Sequence, residues 1–333
     1  MKRIVSVVLI LVVVFVALVY LFIPPHIQVK SVVPMKCNGS AADRILGDTS
    51  AWNRWWPGTR RQSGDDKNGT SRQSENDENG TLSFRGNRYR INRRLLRSFE
   101  VGVAGKGEEI MRGKGEEIMS MLSVFPGIYP DSSSLIWTFN VECGLNPIGR
   151  IIQYQRALEL KDDMDTIMGH ARDYLSAEDH VYGIRIRQMP VGDSLIAETT
   201  RLLAVNPSTA DIYEDVRKLR AYILAHGARL TGYPKVNVTK RKDGYLLRVA
   251  QPTDEHMPGS ADIVMKELYQ GKHLETEVRG GDAVINEAMA QMSNYISDYQ
   301  RTVIAVPFLS LVTDRSAEPD STKWITRIYY PVF

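Results

Sequence analysis

The sequence predicts an α+β chain in three successive parts: a membrane-crossing helix, a mixed domain closed by a long helix, and a second mixed domain made of two similar halves. Three observations carry this. Residues Ile4 to Ile23 are apolar throughout except Ser6, long enough at ~1.5 Å per residue to cross a hydrocarbon core of ~30 Å. Short alternating segments then give way to one long amphipathic stretch ending at Ala177. Finally, "YILAHGARLTGYP" from Tyr222 returns as "YISDYQRTVIAVP" from Tyr295.

Length and charge set the bounds. The 333 residues leave room for two domains of ordinary size. Lys and Arg number 42 against 39 Asp and Glu, a near-balance that argues against a dedicated nucleic-acid binder. No nucleic-acid partner is expected.

Residues 1–25 read as an uncleaved anchor, because Pro24, Pro25 and His26 follow the apolar run where a cleavage site would need small residues. Lys2 and Arg3 precede it, so the positive-inside rule puts the N-terminus in the cytoplasm and the bulk of the chain outside, in a periplasmic setting, with Lys30 and Lys36 weakening that bias. Cys37 and Cys143 each fall in a strand-like stretch, and pairing and two buried thiols are both open. Sequons stand at Asn38, Asn68, Asn79 and Asn237 and matter only in a cell that glycosylates.

The second part, residues 26–178, opens with the strand "HIQVKSVVPM", a short helix "SAADRILGD" and the aromatic stretch "TSAWNRWWPG". A polar run without apolar periodicity predicts a mobile loop over 60–81. Beyond it Phe84, Tyr89 and Ile91 interleave with Arg88, Arg90 and Asn92, as in a strand with one buried face. The repeated "GKGEEIM" at Gly105 and Gly113 is not a phosphate loop, since each Lys precedes Gly rather than Ser or Thr. It reads as a turn lengthened by duplication. "SLIWTFNVECG" is a further strand, and Leu160, Met164, Ile167, Met168, Ala171 and Leu175 form one stripe of a long helix.

This order, with Trp52, Trp55 and Trp56 in "WNRWWPG", resembles the polyketide-cyclase and START-like helix-grip (SRPBCC) superfamily. The resemblance implies a curved sheet around the last helix, often enclosing an apolar cavity. The three Trp side chains then line that cavity or simply pack the core. Members include lipid carriers and cyclases, so no single activity follows.

In the third part, residues 181–333, a 73-residue offset pairs Ile212 with Ile285, Glu214 with Glu287, Leu230 with Val303 and Pro234 with Pro307. Further on the offset becomes 79, pairing Arg248 with Arg327 and Pro252 with Pro331, so the later copy carries extra residues in "TDRSAEPDSTK". Glu198 and Glu277 share the 79-residue offset. Each half, 181–253 and 261–333, reads strand, strand, helix, strand, strand, with helices near 209–227 and 282–300. Both helices should cover one sheet face and leave a groove on the other.

The tandem halves and the closing "STKWITRIYYPV" resemble the GyrI-like effector-binding domain of AraC-type and multidrug-sensing regulators. That resemblance implies a small-molecule groove between the halves. Some relatives are hydrolases. Where multidrug-binding relatives carry a buried carboxylate, this chain has "PFLSLV", which weakens a lipophilic-cation reading. Strand parity turns Val249 and Ile328 to the helices and Arg248, Arg327 and Tyr329 to the groove, with Arg185 and Arg187 alternating against Ile184 and Ile186. With Tyr233, Phe308 and Trp324 they form the candidate ligand-binding set, suited to a small amphipathic or anionic molecule; arginines on a plain solvated face are the alternative.

No helix-turn-helix can be placed, and neither a Gly-x-Ser-x-Gly elbow nor a metal-ligand spacing among the six histidines is present. The expectation is a membrane-anchored, non-catalytic binding protein without cofactor or metal. A hydrolase or cyclase using Glu277 and Tyr295 is the rival, and an envelope protein with vestigial grooves the third reading.

Overall fold

The N-terminal apolar run forms helix α1 (Lys2–Phe22), long and apolar enough to cross a membrane. The computed structural model describes residues 2–61, 81–105, 117–192, 195–268 and 271–333, and the chain divides into the units Met1–Val181 and Tyr182–Phe333.

In the first unit β1 (His26–Met35), α2 (Gly39–Gly47) and a 3-10 turn (Thr49–Arg54) precede β2 (Thr59–Arg61) and β3 (Thr81–Phe84). Then come β4 (Asn87–Leu95), β5 (Ser98–Ala104), β6 (Ile118–Pro126), β7 (Ser133–Glu142) and α3 (Pro147–Leu175). The antiparallel sheet runs β1-β7-β6-β5-β4-β3-β2, and α3 packs on β1 and β7. All six stripe residues from Leu160 to Leu175 are buried. Asn146 starts α3 by accepting from the amides of Ile148 and Gly149, ahead of Pro147 at the first helical position.

The predicted loop 60–81 gives up its ends to β2 and β3; residues 62–80 lie outside the described residues, as do 106–116 with most of the tandem repeat. Cys37 and Cys143 are both buried thiols. The β1–β7 ladder runs from His26↔Glu142 to Met35↔Ser133, so the thiols flank opposite ends of a ladder about 30 Å long. That separation rules out the disulfide.

Arg150 holds the end of α1. It donates to the Ile23 and Gly144 carbonyls at 2.9 Å each, and its guanidinium lies 4.4 Å from the centre of the Tyr20 ring. The Tyr20 hydroxyl donates to the Leu145 carbonyl.

After a short helix α4 (Glu178–Tyr182), the second unit contains β8 (Arg187–Pro190), β9 (Leu195–Leu203), α5 (Thr209–Ala225), β10 (Lys235–Arg241) and β11 (Gly244–Pro252). The pattern repeats as β12 (Val264–Glu267), β13 (Lys272–Arg279), α6 (Asp282–Asp298), β14 (Phe308–Leu311) and β15 (Ile325–Val332). The predicted first strand is corrected: Gly183 takes φ 69, the chain turns there, and only Arg187 of the two candidate arginines enters a strand. Arg185 precedes it.

The sheet order is β12-β9-β11-β10-β14-β15-β13-β8, symmetric about the β10–β14 seam. The halves are not self-contained, because β8 pairs with β13 of the later half and β12 with β9 of the earlier one. The register joining Arg187 to Glu275 and Pro190 to Lys272 continues unshifted to join Leu195 to Glu267 and Glu198 to Val264. The first two strands of each half thus pair, in one common register, with those of the other. Helix α5 packs on β9 and β11, and α6 on β13 and β15. Val216, Leu219 and Ile223 of α5 are fully buried against Leu247 and Val249, each large aliphatic contributing about 1.5–3 kcal/mol.

Candidate functional site

Side-chain alternation divides the residues of the second sheet. Val249 and Ile328 are fully buried on the helix side, so Arg248, Arg327 and Tyr329 point to the other face. Cross-strand register adds Lys235 and Asn237 opposite Ala250 and Arg248, and Phe308 opposite Tyr329.

On this face a cavity of about 340 Å³ lies over the earlier half. Ile196, Ala250, Leu268, Ala305, Val306 and Phe308 supply apolar wall, and Lys235, Arg248, Lys266, Glu198 and Asn237 its polar groups. Glu198 accepts from Lys266 at 2.5 Å, with its side chain 12% exposed. Arg248 donates to Asn237 Oδ1 at 3.2 Å, and that amide is held by the Pro307 carbonyl. The Lys235 ammonium lies 5.2 Å and 5.5 Å from the ring centres of Phe308 and Tyr329. Three cations face one carboxylate, so the lining carries a positive excess.

The later copy carries large rings at two positions that match the lining of this cavity. The residue matching Ala250 is Tyr329, and the one matching Lys235 is Phe308. Those two rings stack at 4.9 Å, with the His273 ring 4.7 Å from Tyr329, at the positions where the earlier half has Lys235 and Ala250. Arg327, the mate of Arg248, is neutralised by Glu277 at 2.8 Å and lies 5.9 Å from the Tyr233 ring centre; the Glu277 hydrogen bond raises its pKa above the usual arginine range.

The structure therefore brings together Arg248, Phe308 and Tyr329, with Arg327 and Tyr233 alongside. It does not place Trp324 there. At an even position of the closing segment, Trp324 shares the parity of Ile328, and Arg315 stacks 4.5 Å from its ring centre. Arg187 sits on the edge strand β8. Sequence reasoning missed Lys235, Lys266 and Glu198 as lining residues; Glu198 had a visible signal, its repeat match to Glu277, without a sign that it lined a cavity.

Glu277 and Tyr295 lie on opposite faces of the sheet. Glu277 shares the face of Arg327, whereas Tyr295 is on α6 between Tyr182 and Tyr299, at 5.2 Å and 4.5 Å. They cannot act on one bond. In the first unit Trp52, Trp55 and Trp56 are buried with ring centres 4.8–5.9 Å apart. Trp52 donates to the Leu46 carbonyl and Trp56 to that of Ser83, and Trp56 meets Tyr89 at 5.3 Å, as packed core aromatics do. Among the described residues no cluster of three or more His, Cys, Asp or Glu is placed to hold a metal ion.

No protein-family model and no curated protein matches the chain. Solved structures similar to it include the EcmrR C-terminal domain, at 11% identity and TM-score 0.39, covering 45% of this chain and 98% of that one. A hydrolase from Listeria innocua is similar at 11% identity and TM-score 0.36, covering 45% and 92%. SAV2435 bound to tetraphenylphosphonium is similar at 16% identity and TM-score 0.33, covering 45% and 94%.

Proposed function

We propose that the chain is a membrane-anchored, non-catalytic binding protein that senses or sequesters a small amphipathic anion. In this reading α1 crosses the membrane with its N-terminus in the cytoplasm, residues 26–178 are a helix-grip domain, and residues 181–333 are a GyrI-like effector-binding domain acting without a DNA-binding partner domain. One observation carries the reading: the 340 Å³ cavity has apolar walls and three cations against one carboxylate. An anion gains charge-assisted hydrogen bonds from Arg248 and Lys235 while its apolar body meets Ile196, Val306 and Phe308. A lipophilic cation would have to displace Lys266 from Glu198. The hydrolase alternative loses its named pair to the sheet that separates Glu277 from Tyr295.

The test is calorimetric titration of the full chain in neutral detergent with 4-phenylbutyrate, 4-phenylbutanol and 4-phenylbutylammonium. The carboxylate should bind best. Arg248→Ala should weaken it about tenfold, roughly 1.4 kcal/mol, and Ala250→Tyr, which puts the tyrosine of the later half into the cavity wall, should abolish it. Preference for the ammonium, or undiminished binding by Ala250→Tyr, would sink the proposal.

A further inference from the structure

Toward the helices of the same unit lies a second cleft of about 450 Å³, lined by the starts of α5 and α6, by β10 and β14 residues, and by Arg315. Arg315 is the unexplained group. It is 9% exposed, donates from Nη2 to Thr326 Oγ1 at 2.8 Å, and lies against Trp324. Its Nε is buried without a hydrogen-bond partner. Among the described residues no carboxylate forms an ion pair with it. A buried guanidinium without a close ion pair is costly, and burial pulls its pKa below the usual arginine range even though the charge of Asp282 opposes this.

A second observation points the same way. The N-cap of α6 is Gly281, which offers no side-chain hydrogen bond to the first amides, whereas α5 is closed by the Ser208–Asp211 capping box. The N-terminus of this 17-residue helix, without a side-chain cap, and its dipole favour an anion at that end. Arg315 also belongs to the segment by which the later half exceeds the earlier one, where the repeat offset passes from 73 to 79. The duplicated framework does not require it: β10 and β11 are joined in the earlier half by a tight turn at Arg241–Gly244.

We propose that this cleft is a second ligand site, which takes a phosphate or carboxylate group on Arg315 and the N-terminus of α6. Lys240 adds a positive charge to its wall and Asp282 a negative one. Its lining shares Val236, Asn237 and Phe308 with the 340 Å³ cavity, but Arg315 and Asp282 belong to this cleft alone and Arg248 and Ala250 to the other, so the two are separable by mutation at those positions.

Phenyl phosphate, inorganic phosphate and phenol are the probes, titrated into the full chain in neutral detergent, with Trp fluorescence reporting on Trp324 beside the guanidinium. Both phosphates should bind and phenol should not. Arg315→Met should weaken inorganic phosphate at least about tenfold, Asp282→Asn should tighten it several-fold by removing the opposing charge, and Ala250→Tyr, which closes the first cavity to amphipathic anions, should leave it unchanged. Absence of phosphate binding to the wild type, equal binding by a folded Arg315→Met, or loss in Ala250→Tyr overturns the proposal. Should Arg315→Met fail to fold, Asp282→Asn decides: an unchanged or weaker affinity overturns it.

Discussion

His273 shows how one buried side chain ties the wall of the aromatic half to pH. The residue is 6% exposed, its ring meets Tyr329 edge-on, and Glu275 Oε2 is 3.6 Å from Nε2. Burial is the largest influence and lowers its pKa below the ordinary value near 6.5; Glu275 pulls the other way and Lys235 adds to the depression. The folded state therefore holds the proton less tightly than the unfolded chain does. Stability is fully present above pH ~6.5 and is lost as pH falls through the lower folded value, with a limiting slope of about 1.4 kcal/mol per pH unit for one proton. Urea denaturation of wild type and His273→Phe between pH ~5 and ~7.5 should show the wild type losing stability faster on acidification. A wild type that becomes relatively more stable at low pH would mean that pairing with Glu275 outweighs burial.

The two copies of the unit's helix end in the same way with different residues. Gly227 takes φ 80 and Gln300, 73 residues later, takes φ 51; Ala228 N donates to Ile223 O and Arg301 N to Ile296 O, the same capping bond in each copy. Glycine bears this conformation without steric cost, and glutamine does not. Gln300→Gly should raise stability by about 0.5–1 kcal/mol and Gly227→Gln lower it by about 1 kcal/mol, read from urea midpoints at constant slope; a destabilising Gln300→Gly would show that the glutamine side chain outweighs its backbone. These caps also explain what could be read from the letters. The helices were legible because their buried stripes repeat, α5 as Val216, Leu219 and Ile223, α6 as Ile285, Ala288 and Met292. Their expected ends, 227 and 300, fall two residues beyond Ala225 and Asp298, on the left-handed cap residues themselves; Gly227 is a stop signal in the sequence, whereas a left-handed glutamine carries none. The candidate site was half legible: parity found Arg248 and Tyr329, whereas Lys235, Glu198 and Lys266 depend on which strands are neighbours, and repeat spacing does not encode that.

Strand neighbourhood is the property of the whole second unit that sequence matching could least supply. Repeat alignment makes each ββαββ half look complete, yet the structure gives the first strand of each half to the other. That exchange decides what a half can do alone. A fragment of residues 182–257 would keep α5 on β9 and β11, but β9 would lose β12, β10 would lose β14 and β8 would lose β13, leaving several bare edges and an incomplete core. A second copy of the fragment could restore them, its β8 pairing with β9 of the first in place of β13, about the same two-fold seam. The fragment should therefore be largely unfolded when dilute and become a folded dimer as concentration rises. Sedimentation equilibrium with far-UV circular dichroism over a hundredfold concentration range tests this. A cooperatively folded monomer at the lowest concentration would show that each half is self-sufficient and that the exchanged strand pairing is not what holds the two halves together.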